Sequence, residues 1–158
     1  MIRRRYGAFG TKGPRRGFRW SEVWCKDGKR SLPSTRTERR RLVRQAIYLN
    51  RLRRRIKRGY GGAGRVARVS IVVTSWYRTP EYNATLPGAA TNSQHTQSRA
   101  TDINAVVIYK NGGRYKLPPP VLASFAEKVR AFRRGGIGTY AAFVHVDHRP
   151  DGPARWTG

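Results

Sequence analysis

Ser93-Gln94-His95-Thr96-Gln97-Ser98-Arg99-Ala100-Thr101-Asp102 is followed, further along the chain, by Phe143-Val144-His145-Val146-Asp147. The two segments offer a pair of imidazoles and a carboxylate, His95, Asp102 and His145. This is the mixed nitrogen and oxygen set that a catalytic zinc ion takes while keeping a fourth position open for water. Such a set can polarise a carbonyl and activate water for hydrolysis. Each residue alone has a plainer reading, since a histidine on an apolar strand is usually a satisfied core residue and an aspartate often caps a turn.

These groups need a scaffold to hold them, and the flanking patterns predict one. Residues 65–75 are a β-branched run (Val66, Val69, Ile71, Val72, Val73, Thr74) that reads as a buried strand. Residues 79–86 suit a short helix and 87–90 a loop. Residues 103–109 form a second strand, and Asn111-Gly112-Gly113 is a hairpin turn into 114–117, which Pro118-Pro119-Pro120 ends. Leu122, Phe125, Ala126, Val129 and Phe132 recur at helical spacing over 121–134. Gly135-Gly136-Ile137-Gly138 breaks that helix, and 140–147 is a third strand. His95 then lies on a loop, Asp102 enters one strand and His145 sits on another. Residues 145 and 147 share a strand face, while His148 points the other way and is structural. The class is α+β, a small antiparallel sheet with flanking helices.

The front of the chain differs in kind. Residues 1–34 are rich in Gly, Arg and Pro, with too little aliphatic content to fold alone. Residues 1–17 read as a disordered basic arm, and the aromatics from Phe18 to Trp24 are expected to dock on the domain. Residues 36–58 read as a helix capped by Thr35 or Thr37, with Glu38 in its first turn and Gly59 at its end. Its apolar stripe is Leu42, Ala46, Leu49, Leu52 and Ile56. Its other face carries Arg39, Arg40, Arg44, Arg51, Arg54, Arg55 and Arg58. Gly59-Tyr60-Gly61-Gly62-Ala63-Gly64 reads as a flexible linker. Three segments follow: a basic arm (1–34), an Arg-rich amphipathic helix with the start of a linker (35–60), and the chemistry-bearing domain (61–158).

Charge narrows the partners. The chain carries 34 basic and 8 acidic residues, a net of +26, and residues 1–60 alone hold 21 basic against 3 acidic side chains. Most of the cations are arginines, whose planar fork suits phosphate and carboxylate. A polyanion, either nucleic acid or a cell-wall polymer, is the expected partner of the basic segment. Cys25 is the only cysteine, so an intrachain disulfide is excluded and a small semi-buried side chain is expected. No apolar stretch follows Met1-Ile2-Arg3-Arg4-Arg5, and none approaches the length of a membrane span. The expectation is a protein made in the cytoplasm without an export signal. It would act at the wall after lysis or release, or within a virion. Oligomeric state is not legible.

The segment Ser75-Trp76-Tyr77-Arg78-Thr79-Pro80-Glu81-Tyr82-Asn83 adds specificity. With Ser93, His95, Ala100, Asp102 and His145, it resembles the zinc D,D-peptidases of the M15 family, which share a fold with the hedgehog signalling domain. The likeness spans about residues 66–158. It implies a Zn2+ ion on His95, Asp102 and His145, an Arg78 that grips a substrate carboxylate or carbonyl through two parallel hydrogen bonds, and a Ser93 that orients the site. It implies hydrolysis of peptidoglycan peptide bonds, of the carboxypeptidase or endopeptidase kind, and suits a phage or viral lysis or entry enzyme. Two departures stand out. Ser98 replaces a usual Gly, and Ala142 and Phe143 stand where many members carry a Glu or His base. Asp147 is the substitute: a base that moves the proton from attacking water to leaving amine, a partner orienting a ligand, or a fourth ligand that blocks catalysis. The Phe-Val-His-Val-Asp strand followed by Ala154-Arg155-Trp156 resembles one branch of the family. The alternative function is a polyanion-binding virion or structural protein carrying an inactive peptidase-like domain.

Overall fold

A computed structural model of the protein describes residues 13–158. Residues 1–12 of the expected arm lie outside the described residues. Helix α1 (Arg36–Gly59) forms where apolar steps of three and four predict it. Thr35 Oγ1 accepts from the Glu38 N–H at 3.2 Å and Glu38 Oε2 accepts from the Thr35 N–H at 3.2 Å, a reciprocal cap. Leu42, Ala46, Leu49, Leu52 and Ile56 are all buried, and Gln45 is buried with them. In place of the expected linker, a turn and a one-turn helix α2 (Gly62–Arg65) lead straight into strand β1 (Val66–Ser75). The cause is packing: the α1 stripe shares one hydrophobic cluster with Val66, Val69, Ile71 and Ile103, so the chain does not part into separate cores at 59–64.

The segment ahead of α1 joins the same cluster. Phe18, Trp20, Val23 and Cys25 are buried, with Phe18 edge-on to Trp76 at 5.3 Å between ring centroids. Docking also reaches further back than 18–24. Gly13 and Pro14 are buried, and Asn50 Nδ2 donates to the Arg16 carbonyl at 3.1 Å, so residues 13–17 are attached rather than free. Cys25 is more than semi-buried: it lies in the core, where its Sγ accepts from the Thr79 N–H at 3.3 Å.

Helix α3 (Pro80–Ala84) follows β1, and β2 (Ala100–Tyr109) and β3 (Arg114–Lys116) form the hairpin over Asn111-Gly112-Gly113. The helix expected over 121–134 is two, α4 (Pro119–Glu127) and α5 (Arg130–Arg133). Val129 between them is extended (φ −99°, ψ 110°) and buried, so a β-branched side chain enters the core where the helix is interrupted. The expected third strand also divides. Gly136–Thr139 is strand β4 rather than a breaker, and Val144–Asp147 is β5. A last strand, β6 (Ala154–Thr157), has no counterpart in the sequence reading.

The sheet order is β1-β2-β5-β4-β6, with β3 on the later half of β2. Every pair is antiparallel except β4–β6, so the α+β class holds with one parallel pair at the edge. One transverse row crosses five strands. Ser75 stands opposite Asp102, Asp102 opposite His145, His145 opposite Gly138, and Gly138 opposite Trp156. Alternation sends Thr101, Val144 and Val146 to the other face, where α1 packs. There Gln45 Nε2 donates to Thr101 Oγ1 at 3.1 Å and to the Val146 carbonyl at 2.9 Å, and His148 Nδ1 donates to Gln45 Oε1 at 2.8 Å. Burial, helped by the Arg99 charge, lowers the His148 pKa to about 4 and keeps the ring neutral in this contact.

Gln45 therefore ties α1 to the strands that carry Asp102 and His145. Gln45→Ala leaves these buried groups unpaired and is expected to lower the unfolding free energy by about 1–3 kcal/mol, read from urea denaturation. An unchanged midpoint would show that α1 is held by its apolar stripe alone.

Candidate metal centre

The loop between α3 and β2 sets His95. Its Nδ1–H donates to the Trp76 carbonyl at 2.6 Å, which leaves Nε2 as a free lone pair. Ser93 Oγ accepts from the His95 N–H at 3.3 Å and braces the same loop. Ser98, where the resembled pattern has glycine, keeps a glycine-like backbone at φ +59° and donates its N–H to the His95 carbonyl at 3.2 Å. That left-handed conformation costs a side-chain-bearing residue roughly 1–2 kcal/mol, and the turn imposes it nonetheless.

Three atoms converge in front of this loop. His95 Nε2 lies 3.1 Å from Asp102 Oδ1 and 3.2 Å from His145 Nδ1, and those two atoms are 2.9 Å apart. Bond lengths of roughly 2.0–2.1 Å put the ligand atoms of a tetrahedral zinc roughly 3.3 Å from one another. The triangle is thus the size one such cation needs. The donor chemistry fits as well. With the His95 proton on Nδ1, the three facing atoms are acceptors that share at most one proton, and a cation satisfies all of them. All three residues are buried.

Asp102 joins the two imidazoles to Arg78. Burial alone would raise its pKa, but the imidazoles outweigh that and hold the carboxylate ionised, well below its usual range. Its Oδ2 accepts from Arg78 Nη2 at 2.8 Å, and Arg78 Nε donates to Ser75 Oγ at 3.1 Å. The two-bond substrate grip expected of Arg78 is therefore restricted. Nε is committed, and Nη1, which makes no hydrogen bond among the described residues, is the free end.

Asp147 departs from the expectation of a base. It is 0% exposed and lies behind His145, its Oδ2 accepting from His145 Nε2 at 3.0 Å and from Arg149 Nη2 at 2.6 Å. Its Oδ1 accepts from the Gly136 N–H at 2.9 Å and the Arg149 N–H at 3.0 Å. Burial pushes its pKa up, but the bonds from His145 and Arg149 prevail and keep it well below the carboxylate range. An ionised, fully bonded carboxylate turned from the pocket takes no proton from water there. It is not a fourth ligand either, since it meets Nε2 while Nδ1 faces the triangle. What fits is the orienting role.

A cleft of about 580 Å³ opens onto the triangle between Arg78, the loop 86–94 and an aromatic wall. Asn83, buried, anchors that loop by donating to the Ala90 carbonyl at 3.0 Å. Tyr140 and Phe143 stack at 4.5 Å, and Trp156 Nε1 donates to Tyr140 Oη at 2.8 Å. The Trp156 ring is 5.1 Å from that of His145, and the Arg149 guanidinium lies 5.3 Å over it. Gly138 makes this possible, because a Cβ there would enter the indole. Tyr140 and Arg149 are pocket residues that the sequence reading passed over, and Phe143 was noted only as standing where a base is usual. The likeness of the Phe-Val-His-Val-Asp strand and Ala154-Arg155-Trp156 to one branch of the family pointed toward this wall.

The α1 arginines lie elsewhere. Arg39 donates to the Pro33 and Ser34 carbonyls at 3.2 and 2.7 Å, holding the turn before the helix rather than a free surface. Arg40 and Arg44 are exposed, and Arg51, Arg54, Arg55 and Arg58 line a separate cleft. Among the described residues no helix is long and apolar enough to cross a membrane.

A family model described as Peptidase M15 matches residues 56–147, more than half of the chain. Neither the curated proteins nor the solved structures contain a significant match.

The triangle predicts one divalent ion per chain, measurable by metal analysis and calorimetry, and lost in His95→Ala. Burial disfavours a charged His145, but its bonds to Asp102 and Asp147 raise its pKa above the ordinary value. An entering cation must displace that proton, so binding is expected to release it and to weaken as pH falls. Asp147→Asn is expected to weaken the ion's affinity about 10- to 100-fold without abolishing it.

Proposed function

The chain belongs to the M15 peptidase family, and from that premise we propose that it is a zinc-dependent peptidase acting on peptidoglycan stem peptides or cross-bridges. The observation that carries the reading is the buried triangle of His95 Nε2, Asp102 Oδ1 and His145 Nδ1 at the foot of an open cleft beside Arg78. These three residues would hold the ion. When bound, it supplies Lewis-acid polarisation of the scissile carbonyl and of a water.

The chain's own residues do the rest. Arg78 offers its Nη1 end to a substrate carboxylate or carbonyl while Nη2 holds the Asp102 carboxylate in place. Asp147 fixes the His145 ring, and Arg149 fixes Asp147. The Tyr140, Phe143 and Trp156 wall excludes water from one side of the cleft. With Asp147 sequestered, the Tyr140 hydroxyl is the group on that wall able to carry a proton. The indole bond from Trp156 occupies one of its lone pairs and so orients its own proton. A chain of this charge that cuts wall peptides suits a lysis or entry step of a virus.

One observation favours a second reading, an inactive domain on a polyanion-binding protein. Among the described residues, no carboxylate other than Asp102 lines the cleft. Digestion of purified peptidoglycan separates the two. The peptidase reading expects new free amines or released D-amino acids, none from His95→Ala, and a KM raised roughly tenfold or more in Arg78→Lys, as loss of a charge-assisted bond implies. Tyr140→Phe is expected to lower kcat by roughly 100-fold with little change in KM, if the hydroxyl carries the proton. A protein that binds zinc and leaves every wall peptide intact belongs to the second reading.

A further inference from the structure

We propose that a second site, a cationic cleft on the helix side of the sheet, binds a single polyol-phosphate chain of the kind that decorates cell walls. Arg51, Arg54, Arg55 and Arg58 on the last turns of α1 form one side of a cleft of about 450 Å³. Lys128, Arg130 and Arg133 form the other, with Val129 between the two walls. All seven cations are exposed, and among the described residues no carboxylate lines the cleft. Glu127, next to Lys128, is turned to Arg155, whose Nη2 it accepts at 2.9 Å. So many like charges facing one another favour an anion between them.

The break in the expected helix builds the second wall. On a continuous helix, residues two apart point about 200° away from each other. Because Val129 is extended, Lys128, Arg130 and Arg133 all line the same cleft. Along α1, Arg51 and Arg55, like Arg54 and Arg58, repeat a charge every four residues, about 6 Å. That suits a linear polymer charged at regular intervals better than a compact anion.

Two features select the polymer. The cleft is small, about 450 Å³, room for a few units of one slender chain rather than a duplex. Among the described residues it also presents no ring to a ligand, since Tyr48 and Phe125 are covered by the cations of Arg51 and Lys128, at 5.5 and 4.8 Å. Single-strand nucleic-acid sites rely on aromatic faces to stack bases, and here only the phosphates would be held. The choice of a wall polymer rests on the peptidase reading, and it also fits the placement. The cleft is on the α1 side of the sheet, whereas Asp102 and His145 face the other way, so a chain held here leaves the metal centre open.

The test is co-sedimentation of the full chain in its His95→Ala form, so that retention does not depend on cleavage. Three matrices are compared: walls bearing polyol phosphate, the same walls stripped of it by hydrofluoric acid, and immobilised single-stranded DNA of equal phosphate content. Retention is expected on the first, with at least tenfold less on the other two. Arg55→Gln with Arg130→Gln is expected to weaken binding at least tenfold and to lower the salt slope by more than about one unit. Arg40→Gln with Arg44→Gln, outside the cleft, should change it less than threefold. Equal retention on stripped walls, tighter binding to DNA, or equal loss from the Arg40 and Arg44 pair would each overturn the proposal. Failure of peptidoglycan cleavage with these binding results intact would count against the peptidase reading alone.

Discussion

Strand register is the constraint on which this site depends. Ser75, Asp102, His145, Gly138 and Trp156 occupy one row across the sheet. A slip of one residue in any of these pairings would turn its side chains to the core face. The opposite face guards against that slip, because Thr101, Val144 and Val146 are buried there against α1 and Gln45 bonds two of them. The hydrophobic core packed on one face of the sheet thus specifies the geometry of a polar site on the other.

Along that row runs an alternation of charge. Arg78 meets Asp102, Asp102 meets the imidazole of His145, His145 meets Asp147, and Asp147 meets Arg149. Buried carboxylates are costly unless paired and hydrogen-bonded. Here each has an arginine on one side and a histidine on the other. The ends of the chain are the more exposed guanidiniums and its middle is the ring that faces the triangle. Removal of either arginine would leave a buried negative charge short of a partner, so the two are as much part of the site as the three convergent residues.

Much of this was legible, and the reason differs by element. The stripe from Leu42 to Ile56 and the β-branched run after Val66 have periods that only one kind of element satisfies. His95, Asp102 and His145 stand out by type. Gly136 and Gly138 misled because glycine usually marks a break. Here they are small so that the Asp147 carboxylate and the Trp156 indole can come close. The choice among the three readings of Asp147 was not legible, because its partner, Arg149, is one arginine in a chain crowded with them. Val129 sits on a helical period yet leaves the helix, a tertiary choice that no local pattern encodes.

The stretch ahead of α1 behaves as a tethered ligand of its own domain. Phe18 leans on the Trp76 ring, and the Trp76 carbonyl is what fixes the His95 tautomer. The Val23 carbonyl also takes the Tyr77 N–H at 3.1 Å, one residue further on. Seating of that stretch and placement of the His95 ring thus meet at a single tryptophan, and any coupling of the front of the chain to an ion at His95 would be reciprocal. Whatever factor an ion added to the holding of the front of the chain, the front would return to the ion.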